Sequence, residues 1–290
     1  MKMKQESSRE KRIRTFLHSF THSKNAMIGL IVLILVILVA ILAPVIAPYD
    51  YAEMNMDELL LKPCAGHIMG TDNYGRDVFS RVIYGTRISV SVGMIVILLS
   101  LFVGVPLGMF AGYFGGIVDT VIMRLVDLML AFPWVLLALT FAAIINPGLE
   151  VVIISLTIAY VPTFVRLMRS VVMSVKSQEY VEAAIVTGEK KSAVMWNYIF
   201  PNCTASLIVQ ASTVLACVII GEASISYLGV GVQAPTPSWG IMISEASTYL
   251  WKAPYLSVFP GIAIVITVMA VNLLGDGLRD VLDPRYSSGV

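Results

Sequence analysis

The chain alternates long apolar runs with charged connections, and the runs have the length that a bilayer dictates. A helix needs about 20 mainly apolar residues to cross the hydrocarbon core, and it satisfies its own backbone there. Six stretches answer to that description: residues 26–47, 88–112, 121–145, 149–165, 205–227 and 256–274. The first holds no charged residue. Its length, with no small-residue cleavage site ahead of a soluble domain, predicts a retained anchor rather than a signal peptide. Gly104, Pro106, Gly108 and Gly112 in the second stretch, Pro133 in the third and Pro162 in the fourth are expected to be kinks or close-packing points, with a role as pivots left open.

Between the fourth and fifth stretches lies a segment of another kind. Val181, Ala184, Ile185 and Gly188 follow helical spacing and predict one small, apolar face, with Glu182 at its rim. Gly188 is the expected break between two short helices, and Pro201 the expected end of the second. An amphipathic loop lying on the bilayer is the plainer reading of the same pattern.

Basic residues set the orientation, because Lys and Arg near a span resist translocation. Lys2, Lys4, Arg9, Lys11, Arg12, Arg14 and Lys24 place the N-terminus in the cytosol. Six spans return the C-terminus there, together with the loop flanked by Arg166, Arg169, Lys176, Lys190 and Lys191. Residues 49–87 then fall outside, where Lys62, Arg76, Arg81 and Arg87 are offset by Asp50, Glu53, Asp57, Glu58, Asp72 and Asp77.

Composition agrees with an integral membrane protein: 57% of residues are hydrophobic and 13% charged, with a mean hydropathy of +0.82. A net charge of +1 argues against a nucleic-acid binder. Cys64, Cys203 and Cys217 have neither metal-ligand spacing nor an even count, so neither a zinc site nor a disulfide framework is expected. His18, His22 and His67 lie outside the spans, which disfavours a histidine-lined metal path or proton relay. No Gly-Lys pair occurs, so the chain has no phosphate loop with which to hydrolyse ATP. Nor does a catalytic set of nucleophile, metal cluster or paired carboxylates stand out.

Charges within the spans are the remaining candidates. Arg124 and Asp127, three apart, are expected to form an ion pair with each other. Glu222 is a possible contact on a substrate pathway, or a cap for the turn leading to Tyr227.

Three blocks carry a family resemblance. Glu179-Tyr-Val-Glu-Ala-Ala-Ile-Val-Thr-Gly188, followed by Pro201-Asn202, resembles the cytoplasmic coupling motif of ABC importer permeases. The block from Gly70-Thr-Asp-Asn-Tyr-Gly75-Arg76-Asp77 to Ser89 resembles the segment before the second span in the dipeptide, oligopeptide and nickel branch. Tyr227-Leu-Gly-Val-Gly-Val-Gln233 to Gly240, and Asn272-Leu-Leu-Gly275-Asp276 to Arg285, resemble the same branch. The likeness runs over about residues 24–285. Glu189, Tyr198 and Phe200 depart from it, standing where the family has smaller residues.

The resemblance implies an all-α integral membrane protein of the ABC importer type I class, with six transmembrane helices and a cytoplasmic coupling-helix loop. On this reading residues 1–25 are a cytoplasmic tail and 26–285 the permease domain, with an extracytoplasmic segment at about 49–87 and a coupling loop at about 173–202. Residues 286–290 form a C-terminal tail. Tyr180, Glu182, Ala183, Ala184, Gly188 and Pro201 are carried over as ATPase-coupling residues. The implied partners are a second homologous permease subunit, two ATP-binding subunits that hold ATP and Mg, and an extracytoplasmic solute-binding protein. The implied place is the plasma membrane of a bacterium or archaeon. Di- or oligopeptides lead as cargo, ahead of nickel chelates, glutathione-like peptides and opines. A secondary carrier or channel is the rival class.

Overall fold

The computed structural model describes residues 18–282. The basic residues between 2 and 14, the 283–285 end of the last motif and the 286–290 tail lie outside that range. The described chain runs through α1 (Lys24–Ile46), α2 (Val78–Phe114), α3 (Gly116–Ala131), α4 (Trp134–Ile145), α5 (Leu149–Lys176), α6 (Glu179–Val186), α7 (Lys191–Tyr227), α8 (Trp239–Ala246) and α9 (Tyr255–Leu282). Ser23, Asp77 and Ser238 cap α1, α2 and α8, each side chain accepting from a backbone N–H three residues on.

Five of these helices are long and apolar enough to span a bilayer, and the expected third span is a broken pair. α3 and α4 meet at 82°. The cause is Pro133, which offers no N–H and pushes Phe132 out of the helical region to φ −97°, ψ 126°. α2, α5, α7 and α9 outrun their predicted ends. α2 has 37 residues, about 55 Å at 1.5 Å per residue, against a hydrocarbon core of about 30 Å. Its N-terminal turns therefore stand clear of the apolar zone, among the connecting segments.

α2 and α5 form the central pair. In lipid the hydrophobic effect does not draw helices together, so close backbone approach and dispersion must do so. Gly104, Gly108 and Gly112 recur every fourth residue on the α2 face that meets α5. A Cβ at Gly108 would lie 2.5 Å from the Val165 carbonyl oxygen, and one at Gly112 would lie 2.8 Å from that of Arg169. α1 meets α9 in the same way, with Gly29 over Leu274 and Gly277 over Ala26. Buried Val96, Met109, Leu156, Phe164, Met168 and Val218 fill the space between α2, α5 and α7. The outer faces of α1 and α9, with Ile31, Leu35, Ile41, Val265 and Met269, remain exposed and apolar, as lipid contact requires.

Gly108→Leu is expected to wedge α2 from α5. Overpacking of this kind costs about 1–3 kcal/mol where side chains can adjust, and here the obstacle is backbone. Gly261→Ala in α9 has no heavy atom within 4 Å of the new Cβ and is expected to be neutral or mildly stabilising. Thermal unfolding in detergent should show a lower Tm for the first variant and an unchanged or higher one for the second.

Candidate functional site

The loop after α5 is an ordered structure at one end of the bundle. α6 opens with Glu179 and Glu182 in its first turn, where negative charge suits the helix dipole. It closes in a Schellman motif: Glu189 N–H donates to the Ala184 carbonyl at 3.2 Å and Gly188 N–H to that of Ile185 at 3.1 Å. Gly188 takes φ +82°, the left-handed conformation that this closure demands. Lys190 then begins the approach to α7.

α6 is amphipathic, but its apolar positions divide differently from the expected single face. Val181 and Ala184 turn inward and are buried in the same core as Val194, Met195 and Ile199. Tyr180, Glu182, Ala183, Ile185 and Gly188 are exposed, and Val186 is 86% exposed. The outward surface is thus a patch of mixed character, with Glu179 and Glu182 among apolar and small side chains. Lys176 fastens its base, donating to the Tyr113 carbonyl at 2.7 Å. The Lys191 ammonium stands 5.8 Å from the Phe114 ring centre.

Pro201 does not end a helix as expected; it sits inside α7. The reason is the π-helical turn Val194–Ile199 just before it. Phe200 N–H reaches back five residues to Met195, and this widened turn admits the proline ring without the clash that a regular helix would impose. Pro201 and Asn202 are exposed.

The charges in the spans also settle otherwise than expected. Asp127 accepts from Arg166 of α5 at 2.8 Å, not from Arg124, because α3 packs Val126 against Val161 and Val165 of α5 and so brings Arg166 alongside. Asp119 and Arg169 form a second, bidentate pair between the same helices. Glu222 is fully buried, accepting from Ser89 Oγ of α2 and from Ser226 Oγ, both at 2.8 Å. It joins α2 to α7 and presents no surface within this chain.

At the opposite end lies a charge network that the linear sequence did not disclose. Arg76 and Arg81 are each 1% exposed. Arg76 donates to Asp72 at 2.6 Å and to Glu245 of α8 at 2.9 Å, while Arg81 donates to Glu245 at 3.0 Å. Two cations and two anions therefore balance in a buried site, the condition under which such a group persists. Arg81 Nη1 also donates to the carbonyls of Tyr51 and Pro235, at 3.3 Å each. The spacing of Asp72, Arg76, Asp77 and Arg81 was visible, but Glu245 carried no local signal. Among the described residues no cluster of His, Cys, Asp and Glu is placed to hold a metal ion.

Comparison with known proteins yields a consistent set of relatives. The family described as binding-protein-dependent transport system inner membrane component matches residues 104–288. The N-terminal TM domain of oligopeptide transport permease C matches residues 12–63. The dipeptide transport system permease protein DppC of Haemophilus influenzae is 42% identical over 94% of this chain and 95% of its own. The di/tripeptide transport system permease protein DppC of Pseudomonas aeruginosa is 41% identical over 95% and 93%. The glutathione transport system permease protein GsiD of Pectobacterium atrosepticum is 40% identical over 83% and 80%. Among solved structures, an inward-facing MetNI methionine ABC transporter matches with a TM-score of 0.59 at 17% identity, over 71% of this chain and 98% of the matched chain. That likeness concerns the fold.

His67, close to this network in sequence, brings a pH dependence of its own. Its Nδ1 lies 2.8 Å from Asp77 Oδ1 and its Nε2 3.3 Å from Glu58 Oε2. Burial lowers its pKa, but the hydrogen bonds and charges of Asp77 and Glu58 more than offset this, leaving it above the usual 6.5. A raised folded-state pKa gives stability that is complete below the unfolded value and lost as pH climbs through the folded one. His67→Gln is therefore expected to lower the Tm relative to wild type by more at pH 5.5 than at pH 8.5. A gap independent of pH would contradict the assignment.

Proposed function

This chain belongs to the family of binding-protein-dependent transport system inner membrane components and is a multi-pass permease subunit of an ABC importer; on that premise we propose that it carries di- or oligopeptides into the cell. Relatives named for dipeptide and di/tripeptide transport support that cargo. A relative named for glutathione transport makes a short modified peptide the second reading.

The observation that carries the coupling role is the outward patch of α6. Tyr180, Glu182, Ala183 and Val186 are exposed on a helix whose other side is locked into the chain's own core through Val181 and Ala184. Tyr180, Ile185 and Val186 together leave an apolar patch uncovered within this chain, which supports a contact with another protein. In our reading α6 lies in the cytosol and seats in a groove on one of two ATP-binding subunits. Those subunits hold ATP and Mg, and this chain contributes no catalytic residue. Both termini are cytosolic, and residues 49–77 and α8 face the extracytoplasmic solute-binding protein. A second, related permease subunit supplies the other half of the path.

The mechanism follows from how α6 is held. When the ATP-binding subunits close, a helix gripped on its outer face moves as a rigid body, since its inner face is close-packed against α5 and α7. α5 passes the displacement to α2 through the glycine contact and to α3 through Asp119–Arg169. The bundle rocks against the second subunit, so that the shared cavity opens alternately outward and inward.

Glu182→Arg reverses one of the two acidic charges of the patch without touching the core. Co-purification in mild detergent is expected to recover ATP-binding subunits with wild type and to lose them by at least about ten-fold with the variant, equivalent to about 1.4 kcal/mol. Peptide uptake should fall in parallel while the Tm is unchanged. Equal recovery and uptake in the two proteins would sink the coupling role.

A further inference from the structure

The outer end holds a cavity of about 330 Å³ beside the start of α2, lined by Tyr51, Tyr84, Arg87, Ile88, Ser91 and the Thr236–Pro237 turn. Its volume falls within the range of small-ligand pockets. Tyr84, Arg87, Ile88 and Ser91 stand three and four residues apart on α2 and so share one helix face. Tyr51 and Tyr84 pack ring to ring, with centroids 4.8 Å apart.

The cavity combines two features. Arg87 is exposed and, among the described residues, makes no hydrogen bond, ion pair or ring contact. Arg76 and Arg81, a few residues away, are both fully engaged. An arginine fork without an anion, next to an aromatic wall, matches a carboxylate attached to an apolar body. The walls are also held in place: Arg81 donates to the carbonyls of Tyr51 and Pro235, so one buried guanidinium ties together the two segments that flank the opening. The buried ion network thus supports a pocket edge, and Arg87 is the charge left over.

The geometry points to a recognition site for the C-terminal carboxylate of a short peptide, with Arg87 as the anion-binding group and Tyr51 and Tyr84 as the surface for an apolar side chain. This rests on the reading of the chain as a peptide importer whose α8 end faces outward. The site lies where cargo would first meet the membrane subunit. It selects for a free carboxylate before the peptide reaches the path between the two permease subunits. A lipid phosphate shares the anionic chemistry, but a headgroup carries no compact apolar body for the tyrosine pair.

The test uses saturation-transfer NMR on the purified chain in nanodiscs of zwitterionic lipid, with alanyl-phenylalanine and its C-terminal amide as probes. Wild type is expected to bind the free dipeptide at least about ten-fold more tightly than the amide, the scale of one lost charge-assisted contact. Arg87→Gln should bring the two probes to the same weak affinity with an unchanged Tm, and Arg87→Lys should retain part of the preference. Tyr84→Leu should weaken both probes together. Equal binding of the two probes by wild type, no binding of either, or a preference that survives Arg87→Gln would overturn the site. So would abolition of dipeptide binding by anionic lipid in the nanodisc, which would make Arg87 a headgroup anchor. The Glu182→Arg co-purification reports on the importer reading separately, because it depends on the opposite end of the molecule.

Discussion

The close approach of α2 to α5 is the contact on which the rest of the structure depends. In a bilayer, two apolar helices gain nothing by hiding from lipid that is as apolar as they are, so only dispersion at short range and satisfied polar groups distinguish one packing from another. Gly108 and Gly112 supply that range by leaving the α5 backbone as their nearest neighbour, and Gly104 does so by meeting Phe164 Cβ and the Val161 carbonyl. With α5 fixed, its other faces become platforms. One takes α3 through Asp119–Arg169 and the Val126 contact, and another meets α7 across the Leu156 and Phe164 layer. Its last turn leads directly into α6.

The two ends of the bundle use polar groups in opposite ways. At the α8 end, Arg76, Arg81, Asp72 and Glu245 form a paired, largely buried set, so that removing one partner leaves another stranded at a cost of about 3–5 kcal/mol. That makes the junction of residues 49–77 with α8 rigid, and it fixes the carbonyls that frame the tyrosine-lined cavity. At the α6 end, the interior is apolar and the charges lie at the surface, where they are cheap to rearrange and available to another protein. Rigidity at one end and an accessible, firmly based handle at the other suit a subunit to which force is applied at one end and cargo delivered at the other.

The spans were legible because an apolar run of bilayer length has few alternatives. What the sequence concealed was the treatment of proline. Pro133 looked like a kink within one span, yet with Phe132 forced into an extended conformation it divides α3 from α4 by 82°. Pro201 looked like a stop, yet the π-helical turn ahead of it lets α7 run through. The face of α6 was misassigned because Val181 and Ala184 serve the chain's own core as readily as a partner's, and helical spacing does not say which side is covered. The pairing of Arg76 with Glu245 spans 169 positions, beyond any local pattern. Gly188 was legible, since a helix that must turn back calls for a left-handed residue at that point.

The central claim is that force enters through the outer face of α6, and site-specific photo-crosslinking in the assembled membrane complex tests it most directly. A photoreactive residue at position 183 or 186 should capture an ATP-binding subunit, while the same residue at inward-facing position 181 should capture only this chain. Capture from 181 and not from 183 or 186, or from none of the three in a complex that imports peptide, would contradict the account.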